Sequence, residues 1–185
     1  MTHIEVVSDP LDDVTLVTRA RDGDIRAYET LVLRYQGQMY RFALRMLANR
    51  PDAEDVVQEV FLTAWRRLDQ LQEGAAFVAW LYKATTNRCL NVIRARKPQT
   101  EVEPDAHEAT DPLPDRSAEV GEQMAALSSA LLELTDDQRA CWLLREVHGR
   151  SYDEIAQYIG GSVTVVRGRI ARARVQLAEV MAPWR

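Results

Sequence analysis

A chain of 185 residues has room for one ordinary domain or two very small ones. Hydrophobic residues at 46% and charged residues at 28% exclude a wholly disordered chain. The net charge of −5 argues, taken alone, against a free-standing nucleic-acid binder, since such domains usually carry positive charge.

The longest apolar run covers residues 75–82, far short of the roughly 20 residues a membrane-spanning helix needs. The start, MTHIEVVSDPLDD, lacks the basic residues and apolar stretch of a secretory signal. Cys89 and Cys141 stand alone and read as buried thiols of a reducing cytosol. His3, His107 and His148 show no metal-ligand spacing. Phosphate-loop, dinucleotide and nucleophile-elbow motifs are missing as well. The expectation is therefore a cytoplasmic non-enzyme with no cofactor, no metal and no membrane insertion.

The apolar pattern is helical almost throughout, with neither alternating runs nor hairpin dipeptides, so the expected fold is all-α. Leu16 and Ala20 mark a short first helix ending near Gly23. Asp24 is placed to cap a second helix over 24–48, with Ala27, Leu31, Tyr35, Met39, Phe42 and Met46 facing inward. Gly37 should weaken it locally.

A third helix follows Pro51, where Asp52, Glu54 and Asp55 suit the positive helix start. Val57, Val60, Phe61, Ala64 and Leu68 form its expected core stripe. The other face carries Asp55, Gln58, Glu59, Leu62 and Arg66. It reads either as a solvated polar face or as a docking face, because Leu62 is an apolar residue set in a polar patch.

The fourth helix spans about 76–96, with Phe77, Leu81, Ala84 and Val92 on one side. Lys83, Asn87 and Arg94 share another side, with Trp80 at its edge. Such a stripe suits a nucleic-acid backbone and an exposed base. Trp80 and Tyr82 also read simply as core.

Residues 98–122 hold 1 basic and 8 acidic side chains together with Pro98, Pro104, Pro112 and Pro114. They read as an extended linker between two domains, 1–97 and 123–185, or as a passive solvated spacer. Each flanking domain is net +1, so the acidic excess lies wholly in the linker. Residues 75–100 and 155–178 contain no acidic side chain at all. Two basic, acid-free blocks suggest two polyanion contacts.

In the C-terminal part, Thr135 with Gln138 and Ser151 with Glu154 form capping boxes. The first starts a helix carrying Ala140, Leu143, Leu144 and Val147. The second starts a short helix, 152–159, that ends at Gly160-Gly161. Ser162 then caps a last helix to about Met181. A short helix, a glycine turn and a longer basic helix have the helix-turn-helix pattern, with an ordinary helical hairpin as the alternative. Val166, Ile170, Ala173, Leu177 and Val180 form the apolar stripe of the last helix. Thr164, Gly168, Ala171 and Val175 centre the opposite face, flanked by Arg167 and Arg172, which can reach guanine edges or phosphates. Arg169 and Arg174 lie nearer the stripe edges, placed for phosphate or for carboxylate partners.

DAEDVVQEVFLTAWRRL (52–68), FVAWLYKATTN (77–87), RSYDEIAQYIG (150–160) and RGRIARARVQL (167–177), in this order, resemble the extracytoplasmic function (ECF) sigma factors of bacterial RNA polymerase. The resemblance covers nearly the whole chain. It implies a subunit with core RNA polymerase, promoter DNA and an anti-sigma factor as partners. Asp55, Gln58, Glu59, Leu62 and Arg66 would dock on the β′ coiled coil, with the β subunit also in contact. Trp80, Lys83, Asn87, Arg94 and Lys97 would serve the −10 element, and loop 70–75 would help hold a flipped base. Thr164, Arg167, Gly168, Ala171, Arg172 and Arg174 would serve the −35 element. Gly168 and Ala171 replace a frequent serine and a bulky residue, which leaves more of the −35 reading to arginines and DNA shape. The alternative is a conventional helix-turn-helix regulator that needs no polymerase.

Overall fold

Helix α1 spans Asp13–Arg21 in the structure, a computed structural model that describes residues 11–71, 74–96 and 118–184. Asp12 starts it by accepting from the Thr15 amide at 2.7 Å, which satisfies one of the donors that a helix start leaves free. Helix α2, Ile25–Leu47, begins at Asp24 in the same way and runs through Gly37 without a break. Ala27, Leu31, Met39, Phe42 and Met46 are buried as expected. Tyr35 is only half-buried, because its hydroxyl donates to the Asp13 carboxylate and ties α2 to α1.

Helix α3, Arg50–Arg66, starts one residue ahead of Pro51, with Asn49 accepting from the Asp52 amide at 2.9 Å. Its core stripe is Ala53, Val56, Val60 and Ala64, with Phe61 beside it. Val57 was expected inside and is half-buried instead, because Val56 takes the inward position. After a 3₁₀ turn at Leu68–Gln70 the chain closes down on α1 at Gly74. A Cβ there would stand 2.8 Å from the Val14 Cα, so any residue larger than glycine would force the α1 backbone to shift.

Helix α4 is Ala76–Arg96, with the expected bounds. It is buried around more of its circumference than a single apolar stripe predicts: Phe77, Leu81, Tyr82, Thr85, Thr86, Cys89 and Leu90 are all inside. The two threonine hydroxyls donate to the carbonyls of Leu81 and Tyr82, at 2.8 and 2.7 Å, and so bury no unmet donor. The extra burial comes from the C-terminal helices, which pack on the side of α4 that α2 and α3 leave free.

Helix α5, Ala118–Glu133, begins inside the segment read as linker, so 118–122 is helical rather than extended. Residues 98–117 and Lys97 lie outside the described residues. Helix α6, Asp136–Trp142, runs into a π turn at Leu143–Val147. The wider turn carries Val147, expected inside, out to 44% exposure. Helices α7, Tyr152–Ile159, and α8, Val163–Val180, follow. Both capping boxes form, and Gly160 turns between the last two helices at φ 75°, a conformation glycine adopts without strain. Val166, Ile170, Ala173 and Leu177 are buried, whereas Val180 at the helix end is 39% exposed. Among the described residues there is no strand.

The two helical groups share one continuous apolar cluster. Tyr82 of α4 stacks on Tyr158 of α7 with centroids 6.1 Å apart and rings 9° from parallel. The Arg150 guanidinium lies 4.7 Å from the centre of the Tyr82 ring. His148 meets both Phe42 and Tyr82 edge-on at 5.5 Å. The Tyr82 hydroxyl donates to Gln38 Oε1 at 3.1 Å and lies 3.1 Å from His148 Nδ1. Tyr82 is therefore core.

Candidate functional site

Among the described residues, three surfaces carry the side chains expected to act. The first is a groove of about 720 Å³ between α2 and α3. Tyr28, Val32, Gln36, Gly37 and Tyr40 line it from α2, and Glu54, Val57, Gln58, Phe61, Leu62 and Trp65 from α3. Its floor is fixed by Tyr28, whose hydroxyl donates to the Phe61 carbonyl and whose ring centre lies 4.8 Å from that of Trp65. Burial pushes the Tyr28 hydroxyl well above its ordinary pKa, so it stays a donor. Leu62 and Trp65 stand on the rim, 50% and 38% exposed.

Of the residues expected on the α3 docking face, Gln58 and Leu62 line this groove. Asp55, Glu59 and Arg66 are exposed on α3 but do not line it. Glu59 is engaged by Arg88 of α4 at 2.7 Å. The contribution of α2 was not anticipated. Residues 28, 32, 36 and 40 recur every four positions, a row of the kind that marks one helix face, and this row runs beside the core row of the same helix.

The second surface is the outer face of α4. Lys83, Asn87 and Arg94 are exposed together, with Trp80 half-buried beside them. Arg94 also donates to Asn91 Oδ1 at 3.2 Å. Two other cations of the block are committed elsewhere: Arg88 to Glu59, and Arg96 to Asp52 and the Leu47 carbonyl. Lys97 lies outside the described residues, as do Gln72 and Glu73 of the expected base-holding loop.

The third surface is the outer face of α8, where Thr164, Arg167, Ala171 and Arg172 are exposed. The Arg172 guanidinium folds back over Gly168: a Cβ on that glycine would lie 3.4 Å from Nη1. Arg167 and Arg172 have no carboxylate partner among the described residues. Arg169 and Arg174 do. Arg169 pairs with Asp137 at 2.6 Å, and Arg174 Nε donates to Glu146 Oε1 at 3.0 Å. The Glu146 carboxylate holds the Arg174 guanidinium in its charged form. Arg174, expected to face DNA, is thus engaged within the fold, leaving Arg167 and Arg172 as the unpaired charges of this face.

Neither cysteine belongs to these surfaces. Burial pushes the Cys89 thiol up to about 12 and that of Cys141 up to about 11. No described helix is long and apolar enough to cross a membrane. Among the described residues no three His, Cys, Asp or Glu side chains gather as a metal site.

Residues 31–99 match the Sigma-70 region 2 family and residues 124–177 the Sigma-70, region 4 family. Apart from Tyr28, the groove lining falls in the first match, as does the α4 face, and the α8 face falls in the second. These matches make the chain a two-region protein of the sigma-70 class. It is 34% identical to the RNA polymerase sigma-H factor of Pseudomonas aeruginosa, over 92% of this chain and 94% of that one. It is likewise 34% identical to the ECF RNA polymerase sigma-E factor of Escherichia coli K12, over 96% of this chain and 98% of that one. Among solved structures it resembles CnrH in complex with the cytosolic domain of CnrY, at a TM-score of 0.71 and 28% identity, covering 92% of this chain and 97% of the other. It also resembles the sigma factor RpoE of Bartonella quintana in complex with the anti-sigma factor NepR, at a TM-score of 0.69 and 25% identity, covering 84% and 96%. The chain belongs to the ECF family of RNA polymerase sigma factors.

Proposed function

We propose that this protein is a cytoplasmic initiation subunit that binds core RNA polymerase, reads the −10 and −35 elements of a particular set of promoters and helps open the duplex between them. It performs no chemical step of its own. Residues 1–97 carry polymerase docking and −10 recognition, 98–122 connect, and 123–185 carry −35 recognition.

The observation that carries this reading is the pair of exposed basic faces, one on each helical group, with an apolar groove beside the first. A single regulator domain has use for only one such face. The groove rim at Leu62 and Gln58 suits the apolar side of a helix, and the β′ coiled coil supplies one. Trp80, Lys83 and Asn87 offer stacking, charge and an amide to a melted strand. Stacking and base capture offset unstacking costs of a few kcal/mol per step. Arg167 and Arg172 reach into the major groove, while Thr164, Gly168 and Ala171 keep the helix face low enough to enter it. The solved relatives held by CnrY and by NepR support an anti-sigma factor as a further partner, which would compete for these surfaces.

The test is reconstitution. The full chain with core polymerase should transcribe selectively from a subset of promoters, and the chain alone should bind the same duplexes weakly. Leu62→Asp should abolish core binding while leaving the melting temperature unchanged, because Leu62 is a rim residue. Tight, specific duplex binding without polymerase, or no complex with core, would refute the reading.

A further inference from the structure

The π turn and α7 place an aromatic ring against two cations of the region-4 surface. The Arg145 Cζ lies 4.6 Å from the centre of the Tyr152 ring, and the Arg167 Cζ lies 5.2 Å from it. We propose that Tyr152 is a positioning residue for −35 recognition, its ring holding the Arg167 guanidinium where α8 meets the major groove. The proposal rests on the promoter-reading function given above.

Tyr152 is well placed for this. It is the first residue of α7, and its backbone is fixed by the capping box on either side: Ser151 N donates to Glu154 Oε2 at 2.7 Å, and Glu154 N to Ser151 Oγ at 3.1 Å. The ring is half-buried against the apolar cluster, so it cannot swing away. Arg145 is anchored separately, Nη1 donating to the Arg150 carbonyl at 3.0 Å. Arg174, the other cation nearby, is bound by Glu146.

Arg167 has none of these restraints. It is exposed on α8, with no carboxylate partner among the described residues. An arginine free in solvent samples many rotamers, whereas a two-pronged contact to guanine needs its planar fork in one orientation. The face of an aromatic ring attracts a guanidinium and restricts it without consuming its N–H donors. An ion pair like those of Arg169 and Arg174 would fix the group equally well but would occupy the donors that must meet a base. Two guanidiniums gathered near one ring also repel each other, and an approaching phosphate or guanine acceptor edge relieves that repulsion. The ring therefore keeps Arg167 ordered yet unsatisfied until DNA arrives.

The experiment uses the full chain with core polymerase on a promoter library randomised through the −35 element, with transcripts sequenced to give base preference at each position. Arg167→Ala should flatten preference at the positions that Arg167 reads. Tyr152→Leu should flatten the same positions, by about two- to five-fold, the range expected of an exposed cation–π contact. Tyr152→Phe keeps the ring and should keep the wild-type profile. In the double variant, Tyr152→Leu should add nothing to Arg167→Ala. Tyr152→Gln, with thermal melting on every variant, covers the case in which the leucine variant does not fold.

A purely structural tyrosine would lower output evenly and leave the profile intact, and that result overturns the proposal. So does a double variant in which the two effects multiply, a phenylalanine variant as impaired as leucine, or an Arg167→Ala profile identical to wild type. Failure of the wild-type protein to support any transcription would instead overturn the sigma-factor reading, and this proposal with it.

Discussion

Arg139 is the charged side chain whose removal should matter most for stability. It is 5% exposed, and its guanidinium serves the ends of two helices at once. It donates to the carbonyls of Leu131, Leu132 and Leu134 at 2.7, 3.1 and 3.2 Å, at the close of α5, and to the Met46 carbonyl at 2.6 Å, at the close of α2. Those of Leu132 and Met46 lie in the last turn of a helix, where carbonyls lack an internal partner and the negative helix end favours a cation, while that of Leu131 also accepts from the Leu134 amide at 3.3 Å. Four charge-assisted bonds at the lower end of their range would total about 6 kcal/mol. Removing the cation also removes its own desolvation cost, so Arg139→Met should net a loss of about 3 kcal/mol. For a chain of this length that corresponds to a fall of roughly 6–12 °C in Tm. Arg139→Lys should recover part of the loss, since an ammonium keeps the charge but cannot span four acceptors as a planar fork does. Urea unfolding followed by circular dichroism measures the change directly. A methionine variant within about 2 °C of wild type would refute the view that this guanidinium holds the two helix ends.

Gly74→Ala should cost about 1–3 kcal/mol, read by thermal melting, because the new methyl meets the Val14 backbone, which cannot yield as a flexible side chain does. Cys89 and Cys141 should react with a thiol reagent only on the unfolding timescale at pH 7.5, since burial keeps both protonated; rapid labelling of the folded protein would contradict this. His148 is pushed down to about 4, first by burial and then by Arg45, Arg150 and Arg41. It is neutral in the fold, and its unfolded value is near 6.5. Its contribution is therefore complete above pH 6.5 and is lost as pH falls toward 4, where the unfolded chain takes up the proton first. Urea midpoints of wild type and His148→Gln should converge as pH drops from 7.5 to 5; parallel curves would contradict the assignment.

Helix starts were legible wherever a short polar side chain precedes an apolar period. Asp24, Thr135, Ser151 and Ser162 all cap as their positions predict. The bounds of α4 and, Val180 excepted, the buried row of α8 followed from spacing. What spacing could not decide was set by partners. Val56 and Val57 are adjacent apolar residues, and only the packing of α2 and α4 selects Val56 as the inner one. The row through Tyr28 and Tyr40 becomes a groove only because α3 lies opposite it. Glu59, read as a docking contact, has an ion partner on α4 that no local pattern reveals, and Arg174, placed for phosphate or for a carboxylate, has the carboxylate of Glu146. The ring beneath Arg167 is 15 positions away in sequence, across a glycine turn.

The shared core around Tyr82 bears on reach. Elements named for positions −35 and −10 lie about 25 base pairs apart, or roughly 85 Å of duplex at about 3.4 Å per step. A compact body of this length has a radius of gyration of roughly 16 Å and a diameter of roughly 40 Å. While α4 and α7 remain in contact, a single molecule cannot touch both elements along straight DNA. If the chain reads both elements as proposed, holoenzyme assembly has to separate Tyr82 from Tyr158 and His148, and the free energy of that separation is subtracted from the affinity for polymerase. The aromatic contact thus acts as a threshold. On that reading a partner that engages one helical group leaves the contact intact, whereas one that must hold both groups apart has to overcome it.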